Sequence, residues 1–251
     1  AFKESFIEFF DPIATVFAPL LKLERPYQDR QWALCVFDDV IEFGGEAGAR
    51  YQAIFVEPLL NALGDHYPEV RQAAAYGVGR MGMNSKGIYN HFLSGAVERL
   101  VAMISHNDSR STEESSIATE NAISAVAKIL KYSNAVDSNL VIPTFITWLP
   151  IWEDAEETPF VYSYFCDLVE ANHPAVLGEN NSNLPSIVNI IVQVFAHDAI
   201  DDSSELGVET KQRLSSILKV LSNNKEIFDA ILQTLKFNSN LQNTLAAILS
   251  S

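Results

Sequence analysis

The chain is predicted to be all-α, an α-α superhelix of about six stacked helix pairs, and three observations predict it. Asp29–Phe43 and Val70–Gly82 look alike, and setting Arg30-Gln31 on Arg71-Gln72 gives a shift of 41 residues, inside the roughly 40–47 residues of a HEAT or armadillo unit. The same helical positions then return apolar along the chain. Phe37 falls on Val78 and, with shifts of 48, 39 and 52, on Val126, Phe165 and Ile217; Val40 falls on Met81, Ile129, Leu168 and Val220. Residues three apart share a helix face, so each unit presents one stripe to its neighbours. Lastly, 48% of the 251 residues are hydrophobic and no Pro-, Gly- or Ser-rich linker divides the chain, although the length alone admits one large or two average domains.

Helix pairs follow in order. Residues 4–22 and 28–43 form the first, closed by Gly44-Gly45. Residues 50–63 and 68–82 form the second, with Pro68 suited to a first helical turn. Residues 87–105 and 114–132 form the third, joined by the polar loop from Asn107 to Ser116, and 138–149 with 157–171 the fourth, split by Trp152-Glu-Asp-Ala-Glu-Glu157. Residues 183–197 and 206–222 form the fifth, across the acidic connector Asp198 to Glu205. The last, 225–236 and 239–250, is shorter and carries the stripes Ile227, Phe228, Ile231, Leu232, Leu235 and Leu241, Leu245, Ile248, Leu249, as a terminal cap needs. Residues 1–251 thus read as one HEAT-repeat array capped by 225–251. The missing initiator Met and the start inside an amphipathic helix give the expectation of a piece of a longer array.

An ionic element also repeats. Asp65 precedes Arg71 by six residues and Glu24 precedes Arg30 by six, the spacing of a turn acid and an early second-helix arginine that form a ladder between HEAT units. The third unit keeps the acid as Glu113 but has Thr119 in place of the arginine, so a ladder loses its basic rung there. Ordinary surface charge is the alternative.

With 32 acidic residues against 17 Lys plus Arg, the formal charge is −15. Such a surface repels nucleic-acid phosphate and attracts basic partners, which argues against direct nucleic-acid binding. Several acids fall in second helices: Asp38, Asp39, Glu42, Glu120, Asp167 and Glu170. In a HEAT array those helices line the concave face, where the acids either cradle basic peptides or solvate amphipathic helices. Asp38, Asp39 and Glu42 in particular are expected to aim at a common solvent space, with Phe37, Val40 and Ile41 packing inward. Trp32, beside Arg30, suits either stacking on a cargo Lys or Arg stem or packing between repeats. Trp152, followed by Glu153-Asp154, suits a cation site or a loop anchor, and Trp148 a structural role.

Catalytic chemistry has little support. Gly77-Val-Gly-Arg-Met-Gly82 fits the dinucleotide fingerprint only as a pattern, since that motif needs a preceding strand and must open a helix; small residues at a tight helix contact are the expected role. His66, His91, His106, His173 and His197 lack metal-site spacing, and His173 before Pro174 reads as a helix-end residue. Cys35 and Cys166 sit in apolar helical runs as small buried thiols, with no disulfide framework. No cofactor or metal is expected. The sequons at Asn107 and Asn180 are expected to stay silent, no apolar run reaches the roughly 18–20 residues a membrane helix needs, and the first residues are not a signal peptide.

Five segments carry a resemblance: Arg30–Glu42, Pro68–Gly79, Ala118–Ala127, Trp148–Pro150 and Phe165–Pro174. In this order they are similar to the C-terminal HEAT repeats of the karyopherin-β3 branch of importin-β-type nuclear transport receptors, over about residues 28–195; beyond residue 196 only helical character matches. The resemblance implies a non-enzymatic carrier that binds basic protein cargo in the cytoplasm, crosses the nuclear pore through Phe-Gly nucleoporins and releases cargo to Ran-GTP in the nucleus. In that family the principal Ran site lies in N-terminal repeats and much cargo contact in central ones, so this stretch is expected to hold a secondary surface or the closing end of the superhelix. The competing class is a HEAT scaffold or adaptor without transport activity.

Overall fold

A computed structural model describes residues 3–84 and 87–250, all helices and connections, with no strand among the described residues. The chain divides into two compact units, Ala1–Ser138 and Asn139–Ser251.

In the first unit, α1 (Ile7–Phe17) is extended by 3-10 turns at Lys3–Phe6 and Ala18–Leu21, and is followed by α2 (Tyr27–Phe43). A four-residue α3 (Gly45–Gly48) and a 3-10 turn lead into α4 (Gln52–Ala62), then α5 (Pro68–Asn84), α6 (Asn90–Ile104) and α7 (Glu113–Tyr132). Second helices pack side by side, α2 on α5 and α5 on α7, while α4 lies on α5 and α6 lies on α5 and α7. Each local signal has a cause. Pro68 starts α5 because its missing N–H would be unpaired there anyway. Thr112 caps α7 by accepting from the Ser115 amide at 3.2 Å. Gly45 takes φ 53° between α2 and α3, a conformation that costs glycine little. The core follows the register: Phe10, Phe37 and Phe55 are wholly buried, with ring centroids 5.9 Å apart for Phe10–Phe37 and 5.3 Å for Phe37–Phe55.

The second unit runs α8 (Ser138–Thr147), α9 (Thr158–Glu170), α10 (Pro174–Leu177), α11 (Leu184–Ala196), α12 (Glu205–Ser222), α13 (Lys225–Leu235) and α14 (Ser239–Ser250). Here α9 packs on α12, and α11 touches α12, α13 and α14. Ser204 and Asn224 cap α12 and α13. The connector between α8 and α9 is pinned by the buried Tyr162 hydroxyl, which donates to the Ile151 carbonyl and accepts from the Ile151 amide, both at 2.7 Å.

The helix pairs and the all-α class are as expected. All five members of the first register series, Phe37, Val78, Val126, Phe165 and Ile217, are buried, as are Val40, Met81, Ile129 and Leu168. Val220 is the exception at 68% exposed, on the open side of α12 opposite the buried Leu214, Ile217 and Leu218. Cys166 is buried as expected, but Cys35 is exposed, because it lies on the outward stripe of α2. The short α10, opened by His173, whose Nδ1 accepts from the Ala175 amide, lies where no helix was expected.

The glycines of α5 act as close-contact residues. A Cβ added at Gly82 would lie 3.1 Å from the Ile129 Cα, and one at Gly79 3.2 Å from the Ala125 Cα, so both let α5 and α7 approach backbone to backbone. Gly77–Gly82 lies in the middle of a helix and opens none.

Candidate protein-binding surface

One rung of the expected ladder between units exists. Arg30 on α2 donates to both carboxylate oxygens of Asp65 in the next unit, through Nε at 3.1 Å and through Nη2 at 2.9 and 2.8 Å. Arg71 instead bonds through Nη1 to the Asp65 and His66 carbonyls, and Glu24 is exposed. In the third unit Thr119 takes over the role of bonding the preceding loop, its hydroxyl donating to the Ser109 carbonyl at 2.6 Å.

The second-helix acids are largely spent inside the fold. Asp38 does not face solvent; it is 3% exposed and wedged against α5, where a Cβ at Gly77 would fall 2.0 Å from its Oδ1. That oxygen has no hydrogen-bond partner. Burial, then the neighbouring Asp39 and Glu42 charges, push the Asp38 carboxyl well above its ordinary range, against the pull of Arg80. Glu42 is half-buried, takes the Arg80 Nε at 3.1 Å and accepts from the Tyr76 hydroxyl at 2.8 Å. Burial, and next the bond to Glu42, raise the Tyr76 phenol to about 12. Glu120 is wholly buried and takes Arg110 at 3.3 Å. Asp167 and Glu170 on α9 share Arg213 of α12, each at 2.7 Å; these bonds, Glu170 foremost, raise the guanidinium pKa. The expected common solvent space of Asp38, Asp39 and Glu42 therefore does not exist. A second helix flanked laterally by its neighbours has only a narrow free face.

What remains open on α2 is a single stripe. Trp32 is 70% exposed and Phe43 52%, and Cys35 and Asp39 are exposed between them. At 100° per residue these four positions span an arc of about 80°. Asp39 makes no ion pair among the described residues, and burial followed by Glu42 raises its carboxyl; burial raises the Cys35 thiol to about 11, with Asp38 and Asp39 adding to it. In the second unit Trp152 is half-buried and stacks flat on His197, centroids 3.9 Å apart and planes 8° apart, while its Nε1 donates to Glu153. One indole face is thus already covered. Phe43 and the Tyr76–Arg80 pair were not singled out from the sequence, although the 41-residue shift sets Asp39 on Arg80 and so places opposite charges at matching positions of adjacent helices.

Among the described residues no group of three or more His, Cys, Asp or Glu is placed to hold a metal ion, and no helix is long and apolar enough to cross a membrane.

Residues 154–205 match the protein family described as an importin repeat. Importin subunit beta-3 of Saccharomyces cerevisiae is 30% identical over 192 residues, covering 76% of this chain and 17% of that protein. A probable importin-5 homolog of Dictyostelium discoideum is 25% identical over 174 residues, covering 67% and 16%. Solved structures of Kap121p are similar in fold over 98% of the chain and 21% of theirs: the one bound to the SUMO protease Ulp1p at TM-score 0.75 and 22% identity, and the one bound to RanGTP at 0.75 and 19%. The chain therefore spans about a sixth of the length of the curated relatives it matches. The helix-pair repeat and these matches agree: the chain belongs with the importin-β-type karyopherins of the β-3 branch.

Proposed function

We propose that the chain is a stretch of a nuclear import receptor, a binding array without a catalytic step that shuttles between cytoplasm and nucleus, takes basic protein cargo and releases it to Ran-GTP. The observation that carries this reading is the 30% identity to importin subunit beta-3 across 192 residues. Kap121p, similar in fold, has been solved with Ulp1p, Ste12p and Pho4p, with RanGTP and with Nup53p, which supports protein cargo, Ran-GTP and Phe-Gly nucleoporins as the partner classes. A formal charge of −15 favours basic partners and disfavours nucleic acid.

Within the chain, the cargo contact fits the α2 stripe best. Trp32 supplies a flat face for a Lys or Arg stem, and Asp39, two turns on, a carboxylate with no ion pair among the described residues. Glu42, Glu120, Asp167 and Glu170 contribute to the field, but each carries a partner of its own. That internal pairing favours a second reading, in which the protein is a HEAT-repeat scaffold or adaptor without transport activity. Co-precipitation of a basic cargo with the full-length receptor, with and without Ran-GTP, separates the two. A receptor loses cargo when Ran-GTP is added, whereas unchanged retention supports a scaffold.

A further inference from the structure

The acid that the repeat sets opposite Arg71, Glu113, is exposed and makes no ion pair with it among the described residues, and a cleft of about 720 Å³ opens at that place. Arg30 and Arg71 are equivalent by the 41-residue shift, yet only Arg30 receives a carboxylate from the turn of the following unit. The corresponding turn for Arg71 is the loop before α7, which offers hydroxyls, Ser109 and Ser111, toward the same cleft. Arg71 makes no ion pair among the described residues; its two hydrogen bonds use Nη1 alone, leaving Nε and Nη2 as donors. It is half-buried, and burial pulls its pKa down against the opposing Asp65 and Glu69 charges. Arg99, His66, His106 and Thr119 line the cleft with it. Arg99 is held loosely, 3.7 Å from Glu57 and bonded to Asn61. Two carboxylates border the space: Asp65, whose oxygens are engaged by Arg30 and the Tyr67 amide, and Asp108, which is exposed and pairs with neither arginine.

We propose that this cleft binds an anionic side chain of a partner protein, a phosphoserine or phosphothreonine above all, with Arg71 as its bidentate anchor and Arg99 as the second cation. Guanidinium and phosphate match in geometry and form charge-assisted bonds about twice as strong as neutral ones. The volume lies in the range of pockets that enclose a drug-sized ligand, roughly 300–1,000 Å³, and so has room for a phosphorylated side chain. The site selects the opposite charge from the α2 stripe and does not depend on the transport reading.

The test is titration of the full chain, followed by NMR, with a short peptide of uncharged side chains carrying one phosphoserine, beside its unphosphorylated and glutamate counterparts. Saturable shifts at the Arg71 side-chain N–H and the Ser109 and Thr119 amides are expected with the phosphopeptide, weaker ones with glutamate and none with serine. Arg71→Gln is expected to weaken binding about tenfold or more, the loss of a charge-assisted pair, while Arg25→Gln, whose exposed side chain does not line the cleft, leaves it unchanged. If Arg71→Gln loses helical signal, Arg99→Gln gives the same comparison from an exposed position. Equal shifts with the serine peptide, affinity indifferent to Arg71→Gln and Arg99→Gln, or saturable binding of a short single-stranded RNA in place of the phosphopeptide would each overturn the proposal.

Discussion

Asp38 shows what happens to a charge when a surface helix acquires neighbours on both sides. Its position on α2 is compatible with solvent in an isolated helix, but α5 closes over it through Gly77, where no side chain keeps the helices apart. The native chain holds the Asp38 proton more tightly than the unfolded chain does. Between the ordinary carboxylate range and the raised native value the folded state binds more protons, so Asp38 lowers stability as pH rises through that window. Asp38→Asn removes the effect. Its urea midpoint relative to the parent should therefore move in the variant's favour between about pH 4 and pH 7, and parallel pH profiles would contradict this burial. Asp65 is the opposite case, a buried carboxylate with a full partner. Asp65→Asn leaves the Arg30 guanidinium uncompensated and should cost about 3–5 kcal/mol in denaturant unfolding, where a surface pair would cost about 1 kcal/mol or less. Apolar residues were legible from the sequence and charged ones were not, because periodicity reports which face is apolar but not which polar positions a neighbouring helix will cover. Along α7 every residue from Ala118 to Leu130 is buried, Glu120 and Lys128 included.

At the scale of helices, the spacing between second helices is set by residue size. Gly82→Ala places a methyl 2.7 Å from the Ile129 Cγ1 and 3.1 Å from its Cα, so α5 and α7 must separate. The gain in helix propensity, about 1 kcal/mol, is outweighed by the lost packing, and a net destabilisation of about 1–3 kcal/mol is expected from thermal or urea unfolding. The repeat register gives a paired test. Phe165→Ala, wholly buried in α9, should cost about 3–5 kcal/mol, and Val220→Ala, exposed on α12, about 0.5 kcal/mol or less, although the two sit three residues apart once the repeats are superposed. Equal costs would break the distinction between the buried register positions and the exposed Val220. Helix positions were readable because a 3.6-residue period persists over 10–20 residues in each element. The one-turn α3 and α10 escaped because four residues are too few to show a period, and their signals, Gly45 and His173-Pro174, read equally well as ends of the preceding helices.

For the whole molecule, a net charge of −15 coexists with internal pairing of Glu42, Glu120, Asp167 and Glu170, so the acids that carry the excess are not the ones the second-helix positions suggest. Fold class and its repeat unit were present in the sequence as a 41-residue echo; the function was not, and entered through segments such as Arg30–Glu42 and Phe165–Pro174 that resemble a particular receptor branch. Periodicity cannot distinguish a transporter from a scaffold, since both need the same buried stripes. In the function proposed above, specificity rests on outward residues, with Trp32, Cys35, Asp39 and Phe43 forming the open stripe of α2. The most direct test of the import-receptor account is nuclear accumulation of a fluorescent basic cargo in permeabilised cells supplied with the full-length receptor and Ran. Accumulation that depends on both additions, and that falls when Trp32→Ala and Asp39→Asn are combined, is the predicted result; cargo that stays outside the nucleus to the same extent with and without the receptor would contradict it.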